Sequence, residues 1–429
     1  AQSGTGSMMN RSMPIAGGFA LLVSLIAGGC AARVPETPGP RSAPAEVRAL
    51  WVVRNALTHP DSVRAMVQRA EEAGFNTLIV QVRGRGDAYY NSRWEPRSMA
   101  LAHQPQDYDP LPLVLAEAHR RGMSVHAWLN TFLLTNMDEP DTAATHLYNT
   151  RPDLLAVPYG VARELYDMDP RDPRYREQIL AYTRNARDRA EGVYLSAASP
   201  EVKEHLYSVW MDVLERYDVD GLHFDYVRYP APDWDYSRVS LERFRAWLTP
   251  QLPDSVRERF AAMEAADPLV WADSFPGEYD RFRREQVTEM VERIYYGAKK
   301  REPEIVISAA VFGNSKDAYE KRYQDWREWL RRGILDIAAP MAYARDTETF
   351  REQIRVAVET AGPERIWAGI GSWRIPVEST LEKIDAARAL GVRGIVLFSY
   401  NSAVRVNPEL NPKADYLMQV SERAFTNQE

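Results

Sequence analysis

From Glu46 onward, short apolar runs alternate with segments whose apolar positions recur every three or four residues. Short apolar runs bounded by turn residues predict buried strands, and the longer spacing predicts amphipathic helices. Arg48 to Arg54 (RALWVVR) reads as the first strand. Pro60 to Gly74 carries Val63, Met66, Val67 and Ala70 at helical spacing and stops at its glycine. Thr77 to Val82 is the second strand, followed by a glycine-rich loop over Arg83 to Tyr90. A helix over Leu111 to Gly122 leads to the third strand, Ser124 to Leu129. The pattern then lapses between Asn130 and Ala198, apart from a helix over Pro173 to Arg189. Ser199-Pro200-Glu201 supplies a cap, a first-turn proline and an acid for the helix that ends near Tyr217. Gly221 to Val227 is the fourth strand, within GLHFDYVRYP.

A second excursion follows, with helices over Leu241 to Leu248 and Phe282 to Arg301. Ile305 to Val311, Leu335 to Ala342, Ile366 to Ile370 and Gly394 to Tyr400 complete the strands. Helices over Trp326 to Arg332, Phe350 to Thr360 and Leu381 to Leu390 separate them. This alternation predicts an α/β fold, a (β/α)8 TIM barrel with long insertions after strands 3 and 4. An open doubly wound sheet is the rival. No G-x-G-x-x-G follows the first strand, and the Gly84–Gly86 pair falls after the second, so a dinucleotide fold lacks support.

The chain has 429 residues, and its 45% hydrophobic and 26% charged shares are those of a globular protein. Its net charge of −7 and the lack of a basic run argue against a nucleic-acid partner. The 11 Trp and 22 Tyr suit a carbohydrate site, because sugar rings present apolar faces, although core packing takes most aromatics. The single cysteine, Cys30, excludes an internal disulfide. Arg11, the apolar run Ile15 to Ile26 and Ala27-Gly28-Gly29-Cys30 have the layout of a lipoprotein export signal. The expected organisation is a signal over 1–30, a Pro-rich tether over 31–45 and a barrel domain over 46–429. Ala1 to Ser7 reads as lying ahead of the start, with Met8, Met9 or Met13 as its candidates. The expected location is periplasmic or outer-membrane, anchored through lipid on Cys30, with a secreted form as second choice.

In a barrel the chemistry gathers at the C-terminal ends of the strands. There the sequence offers Arg83 and Asp87 after the second strand, with Trp128 and Asn130 after the third. Asp225 and Arg228 follow the fourth strand, Tyr343 and Asp346 the sixth, Trp373 the seventh, and Tyr400 the eighth. Carboxylates, aromatics and amides around one mouth suit glycoside hydrolysis, which uses two carboxyl groups. Asp225 is the first, as nucleophile or base, since a carboxylate ending an interior strand is costly unless paired or used. Its structural alternative is a pair with Arg228. Asp346 and Asp87 are the candidates for the acid, each also suited to a turn. Arg83, Asn130 and Tyr343 are expected to position the sugar, and Trp128 and Trp373 to stack on it. Asp233 and Asp235 are expected to be solvated, and His126 and His223 to be packed within strands. No H-E-x-x-H, G-x-S-x-G or P-loop pattern is present, and the reading calls for no cofactor and no metal.

RALWVVR, GFNTLIVQVRGRGDAYYNS, HAWLN, RYDVDGLHFDYVRYP and IAAPMAY together resemble the bacterial glycosyl-hydrolase-like family 10. The similarity runs from about Glu46 to Asn401. It implies a TIM-barrel hydrolase of the bacterial envelope, exported or lipid-anchored. Some members resemble glycosidases of peptidoglycan strands that lack stem peptides. The fourth-strand Asp of the family falls on Asp225. Many members carry a second Asp directly after it, where this chain has Tyr226. The stretch Asp167 to Tyr194 is longer than usual in the family. The expected activity is therefore cleavage of O-glycosidic bonds in an envelope or extracellular polysaccharide. The alternative is a non-catalytic glycan-binding lipoprotein on the same scaffold.

Overall fold

The computed structural model describes residues 45–410 and 415–426. The export signal, most of the tether and Cys30 lie outside the described residues. Eight strands form the barrel: β1 (Val47–Val52), β2 (Thr77–Arg83), β3 (Ser124–Asn130), β4 (Gly221–Asp225), β5 (Val306–Phe312), β6 (Ile337–Met341), β7 (Trp367–Ile370) and β8 (Gly394–Phe398). They run in sequence order around a closed ring, every neighbour parallel, with β1 paired to both β2 and β8. The fold is the expected (β/α)8 barrel. The two long excursions leave after β3 and β4. The first carries a small antiparallel pair, Leu133–Thr135 with Val193–Tyr194. The second carries helices Arg238–Leu248, Asp254–Glu264 and Pro276–Arg301.

Local chemistry sets the element boundaries. Helix Pro60–Glu72 begins at His59, whose ring accepts from Asp61 N, and buries Val63, Met66, Val67 and Ala70 against the strands. It ends at Gly74, which adopts φ +73°. β1 stops two residues short of the expected end. Asn401 takes the Val53 amide on its Oδ1 at 2.7 Å, and Arg54–Leu57 coils into a 3₁₀ turn. β8 also stops early, because Ser399 closes a capping box on the short helix Tyr400–Ala403.

The barrel interior alternates large and small side chains. Trp51, Trp128 and Trp367 from β1, β3 and β7 fill the space left by Ala310 and Ala339 of β5 and β6. Gly369 leaves room for the Trp51 ring, since a Cβ there would come within 3.0 Å of Trp51 Cη2. The Trp51 indole N–H donates to His223 Nε2 at 3.1 Å, and His223 Nδ1 lies 2.8 Å from Ser308 Oγ. Because Trp is only a donor, Nε2 must accept and the proton sits on Nδ1. Burial pushes the His223 pKa far down, so the ring is neutral. His126 is likewise held neutral, its pKa lowered by burial to about 4. Both histidines are packed within strands, as expected.

Candidate active site

At the C-terminal mouth lies a cavity of about 210 Å³. Its walls include Trp51, Trp128, Tyr343, Met341 and Phe398, with Arg54, Gln81, Arg85, Asn130, Asp225, Tyr226 and Arg228 as its polar or hydroxyl-bearing groups. The β3–β4 register sets Asn130 directly beside Asp225. Trp128 Nε1 donates to Asn130 Oδ1 at 2.8 Å, and Asn130 Nδ2 donates to Gly84 O at 2.7 Å. The amide therefore has its orientation fixed from both ends.

Asp225 is nearly enclosed. Its Oδ1 accepts from the Tyr226 amide at 2.7 Å and stands 3.6 Å from Arg228 Nη1. Burial raises its pKa, Arg228 opposes, and the balance lies at about 6. Tyr226 follows with φ +50°, a left-handed conformation that costs a tyrosine on the order of 1 kcal/mol. Arg228 lies over the Tyr226 ring at 4.3 Å and the Phe312 ring at 5.0 Å. Its Nη2 donates to Glu191 Oε1 at 2.9 Å. Glu191 also accepts from the Tyr194 hydroxyl at 2.7 Å. Burial works to raise the Glu191 pKa, but Arg228 and Tyr194 outweigh it and hold the carboxyl below its ordinary value. A single guanidinium thus spans two carboxyl groups with opposed proton affinities.

Asp225, Trp128, Asn130, Arg228 and Tyr343 come together in this cavity. Trp373 packs edge-on to Tyr343 at 4.9 Å and lines an adjoining open recess with Asn55 and Asn401. The other sequence-derived site residues have different positions. Asp346 is exposed, and its side chain caps helix Thr347–Ala361 by accepting from Thr349 N at 2.7 Å. Its pKa is lowered by that backbone bond, the opposite of what an acid catalyst needs. Asp87 folds its own loop, accepting from Arg85 N at 2.8 Å, and faces a neighbouring recess rather than the cavity. Arg83 is fully buried in an ion pair with Glu95 at 2.8 Å and also donates to the Asn130 and Thr131 carbonyls. The Gly84–Asp87 turn takes the next arginine, Arg85, to the cavity instead. Tyr400 turns into the shell of the barrel, because Ser399 starts a helix where a longer strand was expected. Asp235 is buried rather than solvated and accepts from Val157 N and Ser237 N at 3.2 and 3.0 Å. Asp233 is tied to Tyr182 and Arg189 at 2.8 and 2.6 Å.

Glu191 lies in the excursion after β3, and only folding brings it to Arg228. Its sequence context, EGVYL, carries no periodic signal.

The glycosyl hydrolase-like 10 model matches residues 46–376. The chain belongs to that family. Glycosyl hydrolase DigH of Escherichia coli O6:H1 is 26% identical over 345 residues, covering 74% of this chain and 68% of its own. Glycosyl hydrolase YngK of Bacillus subtilis is 23% identical over 354 residues, covering 75% of this chain and 58% of its own. Among solved structures, the glycoside hydrolase domain of PgaB (BpsB) from Bordetella bronchiseptica superposes with TM-score 0.57 at 16% identity. That alignment covers 88% of this chain and 99% of the domain. The catalytic domain of a Paenibacillus polymyxa β-amylase gives TM-score 0.57 at 10% identity, with the same coverage. These two likenesses concern the fold. Membership of the glycosyl hydrolase-like 10 family points to a carbohydrate substrate.

Proposed function

We propose that this glycosyl hydrolase-like 10 protein hydrolyses O-glycosidic bonds in a cell-envelope or extracellular polysaccharide, with Asp225 as general acid. The observation that carries this reading is the Asp225 carboxyl, raised to about 6 by burial in an aromatic-walled cavity at the mouth of the barrel. A carboxyl so tuned holds its proton in mildly acidic solution and delivers it to the leaving oxygen. This exchanges the nucleophile-or-base role expected from sequence for that of the acid. Glu191, kept ionised by Arg228, is the second carboxyl of this reading; it stands behind Arg228, outside the cavity wall, so a water would have to pass that guanidinium to reach it. Trp128 and Tyr343 offer faces to the sugar, and Asn130 a fixed amide. Recesses adjoin the cavity on two sides, sharing Val53 with one and Arg54 and Arg85 with the other, which suits a polymer crossing the mouth.

Peptidoglycan glycan strands are the first substrate to test, and export with a lipid anchor on Cys30 fits such a target. The experiment is incubation of the protein and its Asp225→Asn variant with peptidoglycan stripped of stem peptides and with a panel of polysaccharides. Reducing ends released by the wild type and not by the variant support the proposal. Binding without products from either would instead favour the glycan-binding alternative.

A further inference from the structure

Arg54 and Arg85 stand side by side where the cavity meets its neighbouring recess, and both line the two spaces. Neither forms an ion pair among the described residues. Arg54 Nη1 donates to Gln81 Oε1 at 3.0 Å, a neutral acceptor. Arg85 is half-buried, and burial and the adjacent Arg54 both lower its pKa. Two neighbouring guanidinium groups that form no direct ion pair repel each other, a repulsion the nearby Asp87 carboxylate offsets in part and a bound anion would relieve further.

The loop is built to keep them there. Gly84 N donates to Asp87 O at 3.2 Å, the Asp87 side chain accepts from Arg85 N, and Gly86 takes φ +68°. His146 Nε2 grips Arg85 O at 2.8 Å. Gly84 has a separate task. A Cβ there would stand 2.6 Å from Arg54 Cδ and 2.8 Å from Arg54 Nε, so only glycine lets that side chain lie across the loop. Asp87 is the nearby acid, and it is engaged by the turn. Glu139 and Asp141 line the same recess.

We infer that Arg54 and Arg85 form a carboxylate-reading subsite, and that the substrate is an acidic glycan whose charged group sits beside the sugar held over Asp225. This rests on the glycosidase reading for the placement of the sugar, though the anion contact is independent of catalysis. Planar guanidinium groups match carboxylates with paired hydrogen bonds. The carboxylate is either a ring carboxylate, as in uronic acids, or an ether-linked side arm, as in lactyl-substituted sugars.

The test is binding at low salt, followed by tryptophan fluorescence, since Trp51 and Trp128 line the cavity. The probes are stem-peptide-free peptidoglycan strands and polygalacturonate, each also with its carboxyls reduced to alcohols. One acidic polymer is expected to bind about tenfold or more tighter than its carboxyl-reduced form. Arg54→Gln and Arg85→Gln should each remove most of that difference while binding of the reduced polymer stays the same. Preference for the native strands assigns the side arm, and preference for polygalacturonate assigns the ring carboxylate. Equal binding of acidic and reduced forms, no binding of any probe, or a difference that survives both substitutions overturns the subsite. Product release in the same samples reports separately on the glycosidase reading. Charge discrimination without products would refute hydrolysis and leave the subsite standing.

Discussion

Replacing Asp225 with asparagine should abolish hydrolysis and make the protein more stable. The structure raises this carboxyl from 3.8 to about 6, chiefly through burial. A shift of about two units, at 1.36 kcal/mol each, amounts to about 3 kcal/mol against the ionised form. Below the unfolded value of 3.8 both states hold the proton, and Asp225 is neutral with respect to stability. As pH rises to about 6 the unfolded chain ionises while the native chain keeps its proton, so wild-type stability falls. Above that the deficit is complete. Asparagine keeps the acceptor for the Tyr226 amide and carries no charge. Urea midpoints measured from pH 4 to 8 should therefore coincide at the acidic end. They should then diverge in favour of the variant, by up to about 3 kcal/mol once pH 7 is passed. A variant less stable than wild type at pH 7.5, or a difference that does not change with pH, would refute the burial argument for Asp225.

If Asp225 is the acid, kcat/KM on any cleaved polysaccharide should fall about tenfold per pH unit above about 6, which a pH–rate profile reads directly. Asp346→Ala should cost about 1 kcal/mol in unfolding free energy through its lost helix cap, with turnover unchanged; a collapse of turnover would return Asp346 to the site. Trp51→Phe should cost about 1–3 kcal/mol, measured by urea unfolding, because His223 Nε2 loses its buried donor. Glu191→Gln should abolish hydrolysis while leaving glycan binding within about threefold of wild type, read by product release and by fluorescence titration.

The barrel was legible because its strands are largely buried and read as apolar runs, with glycine marking where the helices stop. Gly74 and Gly391 do this through positive φ values that other residues adopt at a cost. The order of strands around the ring follows from the alternation, and Asp225 follows from its place at the end of β4. Side-chain direction was not legible. Arg83 and Arg85 are two residues apart, yet the first turns into a buried pair with Glu95 and the second into the cavity. Asp346 and Asp225 both follow strands, but a helix starts directly after the first. Glu191 depends on a contact made 37 residues along the chain, across an excursion with no periodic signal.

The family match ends at residue 376, ahead of β8, the strand whose pairing with β1 completes the ring. A fragment cut at that limit would keep Asp225, Glu191 and both arginines, yet expose the hydrogen-bonding edges of β1 and β7. Unpaired parallel edges recruit other chains, so such a fragment should aggregate although every residue assigned to chemistry is present. In this protein the last strand lends the cavity one wall residue, Phe398, and it is also what makes the other seven a vessel.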